Sequence, residues 1–120
     1  MLREESIIRK VKGLSKEEEM EILLFLKNNV DAWCNKNNNA LFSARNFLGG
    51  DKRIWEGTPM QKLYKKYINQ GLTETVSRKR AGHDAGWLLK KTIHEHDSWF
   101  DTKKTPSIRI YSLSSSTIKN

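Results

Sequence analysis

The sequence predicts a mainly α-helical fold with one small β-hairpin near its C-terminal end. Three segments repeat apolar residues at helical spacing, and each starts or stops at residues that typically cap helices. After Asp97 the apolar residues alternate at period two, which is typical of paired strands. The 120 residues suffice for one modest core, so we expect an α+β protein built around it.

The first long helix is predicted over residues 15–34. Ser15 and Glu18 match a capping box, and the glutamates around them suit the positive end of a helix dipole. Cys34, the single cysteine of the chain, is expected to be a buried structural thiol. The apolar face of this helix is expected to comprise Met20, Ile22, Leu23, Leu24, Phe25, Leu26, Val30 and Trp33.

Residues 35–57 are predicted to be mostly loop. The asparagine-rich segment 35–39 disfavours a helix, whereas 43–48 is expected to form a short helix that Gly49 and Gly50 stop. We interpret residues 1–57 as a helical N-terminal extension that packs on the common core.

A second long helix is predicted over residues 58–71. Thr58 can cap this helix, Pro59 suits its first position, and Gln61 completes a capping box. Gly71 is then expected to end the helix, because glycine adopts the left-handed conformation that follows many helices.

The next segment is predicted to hold a short helix over 73–80 and a longer one over 84–96. Ala81 and Gly82 are expected to break the chain between them, and the His83-Asp84 pair offers a new cap. The longer helix repeats apolar residues at helical spacing on one face.

The hairpin is predicted to pair residues 98–100 with 107–113 through a polar turn at 101–106. Residues 114–120 have little to pack against and are expected to form a flexible tail. The core as a whole is expected to include Leu23, Leu24, Leu63, Tyr67, Leu88, Leu89 and Ile93.

The charge of the chain is strongly basic and unevenly distributed. The net charge is +8, and residues 51–120 hold 14 basic against 7 acidic side chains, whereas residues 1–50 hold 8 against 7. A concentrated positive field attracts polyanions and accelerates their encounter. The C-terminal half is therefore expected to bind nucleic acid.

The order of elements from residue 58 to residue 113 resembles a winged helix-turn-helix domain. In this comparison 58–71 is the first helix, 73–81 the second, Gly82 lies in the turn, 83–96 is the recognition helix and 99–113 the wing. The resemblance implies a non-enzymatic protein that binds duplex DNA, with the recognition helix in the major groove.

Basic residues from three segments would converge on one surface in such a fold. The first group precedes the turn, the second lies on the recognition helix opposite its apolar stripe, and the third belongs to the wing. The expected nucleic-acid-binding residues are Arg78, Lys79, Arg80, Trp87, Lys90, Lys91, His94, Lys103, Lys104 and Arg109.

Two other functions remain open from the sequence. One is a small interaction module, such as an inhibitor or adaptor, that places its basic face on an acidic or nucleic-acid-binding protein. The other is a small nuclease or nuclease subunit using Asp84, Glu95, Asp97 and Asp101. The helix over 15–34 would extend the core or form a homodimer interface. The Asn- and Lys-rich composition is typical of AT-rich genomes such as those of mobile elements and phages.

No catalytic, metal-binding or cofactor-binding constellation is expected. His94 and His96 are two residues apart, so on a helix their side chains diverge by about 200° and do not chelate one ion. The first ten residues lack the apolar core of a signal peptide, and no apolar run approaches the ~20 residues of a membrane helix. A cytoplasmic location without membrane contact is expected.

Overall fold

The computed structural model describes residues 1–2, 7–37, 41–44, 46, 55–106 and 108–114. Half of the predicted short helix at 43–48 and nearly all of the predicted tail lie outside these residues. Within them the fold is mainly α-helical with one antiparallel hairpin, as predicted. The elements are α1 (Lys16–Asn37), α2 (Gln61–Asn69), α3 (Glu74–Glu95), β1 (Phe100–Lys104) and β2 (Arg109–Leu113).

Helix α1 begins with the predicted capping box. The Glu18 amide donates to Ser15 Oγ at 3.1 Å, and the Ser15 amide donates back to Glu18 Oε1 at 2.8 Å. The hydrogen bond from the Ser15 backbone also lowers the pKa of the Glu18 carboxyl. The two bonds satisfy amide groups that the first helical turn leaves without a partner.

The buried face of α1 differs from the predicted one. Ile22, Leu26 and Val30 are fully buried, whereas Leu24 is 59% exposed and Met20 is 60% exposed. The expectation that Leu24 belongs to the core is therefore wrong. Apolar residues surround the first half of this helix, so their spacing alone does not define which face packs inward.

Helix α2 starts three residues later than predicted. The Thr58 hydroxyl does not cap the helix but donates to the Trp55 carbonyl at 2.8 Å, and the chain enters α2 through tight turns. The other end agrees with the prediction, because Gly71 has φ +88° and its amide donates to the Ile68 carbonyl at 2.9 Å. This left-handed residue turns the chain toward α3.

Helix α3 is one continuous helix of 22 residues. The predicted break at Ala81 and Gly82 is wrong, and Asp84 does not cap a new helix. Thr73 caps α3 instead, since its hydroxyl accepts from the Val76 amide at 3.2 Å. A glycine within a helix costs about 1 kcal/mol relative to alanine, and burial of Ala81 and Ala85 against the core offsets that cost.

The hairpin pairs Phe100 with Leu113 and Lys104 with Arg109. Strand β1 therefore runs through most of the segment that was predicted as a turn. The Thr105 hydroxyl closes the connection by donating to the Ile108 carbonyl at 2.6 Å. On the outer side of β2 the backbone of Phe42 exchanges two hydrogen bonds of 2.8 Å with Tyr111, which lengthens the hairpin into a small sheet.

An aromatic cluster joins this sheet to the helices. The Phe42 ring stacks on Tyr111 at 5.7 Å and meets the edge of Phe100 at 6.1 Å between centroids. Trp33 of α1 lies 6.4 Å from the same Phe42 ring. Such pairs stabilise a fold beyond the area that they bury. The buried core also contains Ile22, Leu26, Val30, Met60, Leu63, Leu88, Leu89 and Ile93.

A polar network connects the N-terminal segment, α2 and α3. Lys66 lies 2.7 Å from Asp84, with side chains only 11% and 15% exposed, and its ammonium also donates to the Lys12 carbonyl at 2.5 Å. The Tyr67 hydroxyl donates to the same Asp84 carboxylate at 2.6 Å. Burial and this carboxylate raise the pKa of Tyr67 to about 12.

We expect Leu89→Ala to destabilise the protein by about 2–5 kcal/mol, because Leu89 is fully buried and truncation leaves a cavity. Leu41→Ala is the matched control, since Leu41 is 62% exposed and its truncation should change stability by less than about 0.5 kcal/mol. Urea unfolding followed by circular dichroism measures both. Equal losses in the two variants would contradict the core assignment.

The raised pKa of Tyr67 predicts a loss of stability at alkaline pH. An unfolded tyrosine ionises near pH 10, whereas the folded one keeps its proton to about pH 12. Within this window the folded state binds more protons, so raising the pH favours unfolding. The stability advantage of the wild type over Tyr67→Phe should therefore be constant below pH 10 and shrink above it. An advantage that does not change with pH would contradict the Tyr67–Asp84 coupling.

Candidate nucleic-acid interface

Helix α3 is buried along one side, and the buried side is wider toward its C-terminal end. At its C-terminal half Leu88, Leu89 and Ile93 are buried, together with Lys90 and Thr92. At its N-terminal half Ser77, Ala81 and Ala85 are the buried positions. The first turns therefore have a narrow buried side, whereas residues 88–93 are mostly buried and His94 and Glu95 at the end of the helix are exposed.

The outward side of α3 over residues 75–86 forms a stripe, which we call the open face: Thr75, Lys79 and Gly82 are exposed and Gly86 is partly exposed. These residues follow one another at helical spacing. A Cβ atom added at Gly82 or Gly86 would meet no heavy atom within 4 Å, so there is space for a side chain or a ligand directly over these two glycines. A ligand can approach the α3 backbone closely there.

Lys90 continues this stripe but is not the exposed lysine that was predicted. Its side chain is only 5% exposed, although the sequence placed it opposite the apolar stripe. The Lys90 ammonium lies 5.0 Å from the centroid of the Trp87 ring, and the Arg9 guanidinium lies 5.5 Å from the same ring. The lysine stem is long enough to pack against apolar neighbours along its length.

Lys90 and two cations of the hairpin, Lys104 and Arg109, form a group that we call the cationic cluster. The two hairpin residues are directly paired across the strands, and Arg109 Nη1 donates to Thr102 Oγ1 at 3.0 Å. Burial, followed by the positive charges of Arg109 and Lys104, lowers the pKa of the Lys90 ammonium. These three groups therefore repel one another across the junction of α3 and the hairpin.

No carboxylate neutralises the cationic cluster within the part of the chain that the structure describes. The ion pairs found there involve other cations, among them Lys27, Lys62, Lys66 and Lys91. A cluster of like charges near low-dielectric surroundings is costly without an opposite charge. The arrangement is suited to an anion, and Arg and Lys bind both carboxylate and phosphate groups through charge-assisted hydrogen bonds.

Of the remaining predicted site residues, some are exposed on the surface and others form ion pairs within the fold. Lys91 turns toward α1 and pairs with Glu19 at 3.2 Å, and Arg78 is 3.9 Å from Glu74. Lys91 is thus occupied within the fold, which the sequence did not indicate. The predicted residues that lie exposed are Lys79, Arg80, His94, Lys103 and Lys104.

Arg9 is the part of this site that sequence analysis missed. It contacts Trp87 from a segment far away in the chain, and neither helical spacing nor a local motif indicates such a contact. In the sequence, only the basic character of residues 9–12 could have indicated that this segment contributes to the site. Trp87 itself was predicted as a site residue, and it lies half-buried beside two cations.

Residues considered for metal or thiol chemistry have structural contacts instead. His96 Nε2 lies 2.7 Å from Asp31 Oδ1, and the His96 ring meets the edge of Phe100 at 5.1 Å. Asp84 belongs to the ion pair with Lys66. Burial, followed by the charge of Asp31, raises the pKa of the Cys34 thiol, which keeps it protonated at neutral pH. Among the described residues no three His, Cys, Asp or Glu side chains gather as metal ligands.

Comparison of the chain with protein-family models, curated proteins and solved structures gives no significant match. Within the described ranges, none of the helices combines the length and apolarity needed to cross a bilayer.

The cationic cluster predicts that Lys90→Met is more stable than the wild type at low ionic strength. Methionine keeps the apolar stem and removes a buried charge that Arg109 and Lys104 repel. The control is Lys65→Met on α2, where an exposed lysine is lost and little change is expected. Thermal unfolding should show the gain for Lys90→Met, and the gain should shrink in high salt as repulsion is screened. A lower midpoint for Lys90→Met would show that the ammonium is stabilised by a contact within the protein.

Proposed function

We propose that this protein binds duplex DNA, with the open face of α3 toward the major groove and the hairpin against the phosphate backbone. The observation that carries the proposal is the cationic cluster, which joins an uncovered helix face and lacks a neutralising carboxylate among the described residues. A major groove accepts one helix, and neighbouring basic groups that contact phosphates fix its position.

The order of elements supports a winged-helix arrangement in a corrected register. The turn falls at residues 70–73 between α2 and α3, rather than at Gly82, and α1 takes the place of the first helix. Between α1 and α2 in the chain, Phe42 forms an isolated antiparallel bridge with Tyr111, next to the hairpin. In this register α3 is the recognition helix and the loop joining β1 to β2 is the tip of the wing.

Each part of the surface then has a distinct role. Thr75 and Lys79, near the start of α3, face base edges, because the N-terminal residues of a recognition helix enter the groove. Gly82 and Gly86 allow the helix backbone to come close to the DNA. Lys104 and Arg109 contact phosphates, and the bound phosphate also relieves the repulsion that they exert on Lys90.

The proposal predicts salt-sensitive binding to duplex DNA that depends on the cationic cluster. Fluorescence anisotropy with a random-sequence duplex, at several salt concentrations, measures the affinity and its salt slope. The double variant Lys104→Ala/Arg109→Ala should bind more weakly, and its slope should fall by about 0.9 for each lost phosphate contact. Lys16→Ala/Lys36→Ala is the control, because it removes two exposed charges from α1 and should retain most of the affinity.

Substitution of the two glycines of the open face tests the same binding by adding side-chain volume without changing the charge. Gly82→Gln/Gly86→Gln leaves the net charge unchanged and improves helix propensity, so the fold should be at least as stable. Its affinity for duplex DNA should nevertheless fall, because two side chains obstruct the approach of the helix. If the wild type shows no salt-sensitive affinity for duplex DNA, the proposal fails, and an acidic protein surface becomes the ligand to test.

A further inference from the structure

Helix α1 carries an exposed stripe that the proposed DNA-binding surface does not use. Glu17, Met20, Leu24 and Lys27 follow one another three or four residues apart, so they lie on one side of the helix. Met20 and Leu24 are 60% and 59% exposed, which makes them two of the most exposed large apolar residues in the described chain. We call this stripe the α1 face.

We propose that two copies of this chain pair through the α1 face, with the two α1 helices antiparallel about a two-fold axis at the level of residue 22. This inference goes beyond DNA binding and does not depend on it. A two-fold interface brings the same patch of both copies together, so the patch must be complementary to itself. The α1 face meets that requirement.

The apolar centre of the face matches its own copy. Met20 and Leu24 lie two residues on either side of the axis, so Met20 of each copy meets Leu24 of the other. Pairing removes both apolar side chains from water, which is favourable, and the flexible methionine side chain adapts to an irregular neighbour. A shallow groove of about 140 Å³ between α1 and the end of α3 is partly lined by Leu24, and it offers space for the partner's methionine.

The charged ends of the face also match. Glu17 and Lys27 lie five residues from the axis, about 7.5 Å along the helix, and on opposite sides of it. In the antiparallel pair each Glu17 therefore meets Lys27 of the other copy, which produces two ion pairs. A parallel arrangement would instead place like charges opposite each other, so the charge pattern selects the antiparallel one.

The acidic residues at the start of α1 show why Glu17 is the available partner. Glu18 and Glu21 lie 3.8 and 4.0 Å from Lys62, and Glu19 pairs with Lys91 at 3.2 Å. Those three carboxylates serve contacts within the fold. Lys27 pairs with Asp31 at 3.0 Å, but both groups are well exposed, and such a pair gives way readily to a competing carboxylate.

Sedimentation equilibrium without nucleic acid tests the apolar centre of the pair. The wild type should show a concentration-dependent dimer, and Leu24→Glu should be monomeric throughout the same concentration range. Leu41→Glu is the control, since it places the same charge on a 62% exposed leucine outside the α1 face and should dimerise like the wild type. A wild type that stays monomeric at every concentration, or a Leu24→Glu variant that still dimerises, would overturn the proposal.

Charge reversal tests the antiparallel register with variants that keep the fold. Glu17→Lys and Lys27→Glu each place like charges at both ends of the pair and should weaken self-association by about tenfold. An equimolar mixture of the two variants restores both ion pairs and should form a heterodimer with wild-type affinity. Absence of recovery in the mixture would overturn the register, whatever the behaviour of each variant alone.

Discussion

Continuous burial along one side of α3 is the constraint on which the other elements depend. Ser77, Ala81 and Ala85 pack inward in the first half, and Leu88, Thr92 and the neighbouring leucine and isoleucine follow in the second half. Helices α1 and α2 both pack on α3, and the hairpin follows it directly in the chain. Because the helix does not break at Gly82, its first turns extend the same rigid axis whose last turns are embedded in the core. The open face is thereby held in a fixed orientation relative to the hairpin.

The cationic cluster illustrates how stability and a proposed binding role oppose each other at one residue. Lys90 is nearly buried, yet the charges that act on its ammonium are the positive ones of Arg109 and Lys104, which lower its pKa further. An uncharged side chain of similar length would pack in the same space without repulsion. Sites that bind strongly charged ligands commonly retain such locally unfavourable residues, because the ligand supplies the missing charge. The Lys66–Asp84 pair shows the contrasting arrangement, in which a largely buried ammonium forms an ion pair with a carboxylate of the same chain.

Local sequence signals predicted the helices and strands better than they predicted which side of each helix is buried. The capping box at Ser15, the helix end at Gly71 and the hairpin are each determined by a few adjacent residues, and the structure contains all three. The continuity of α3 through Gly82 depends on burial against α2, which short-range signals do not contain. All three residues of the cationic cluster were predicted as site residues. The burial of Lys90 and the contact of Arg9 with Trp87 were not predicted, because both arise from tertiary packing.

The unequal enclosure of α3 has a consequence for motion on slow timescales. Residues 88–93 of the helix are mostly buried and this end packs on α1, so their amides open to solvent chiefly when the whole protein unfolds. In the first turn Glu74, Thr75 and Val76 are exposed, and in the middle turns Gly82 and Gly86 leave the backbone open on one side, so these amides are available for local opening. Hydrogen exchange is thus expected to be graded along a single helix, slow at Leu89 and faster toward Thr75. The fold combines a rigid anchor and an adaptable contact segment in one uninterrupted element.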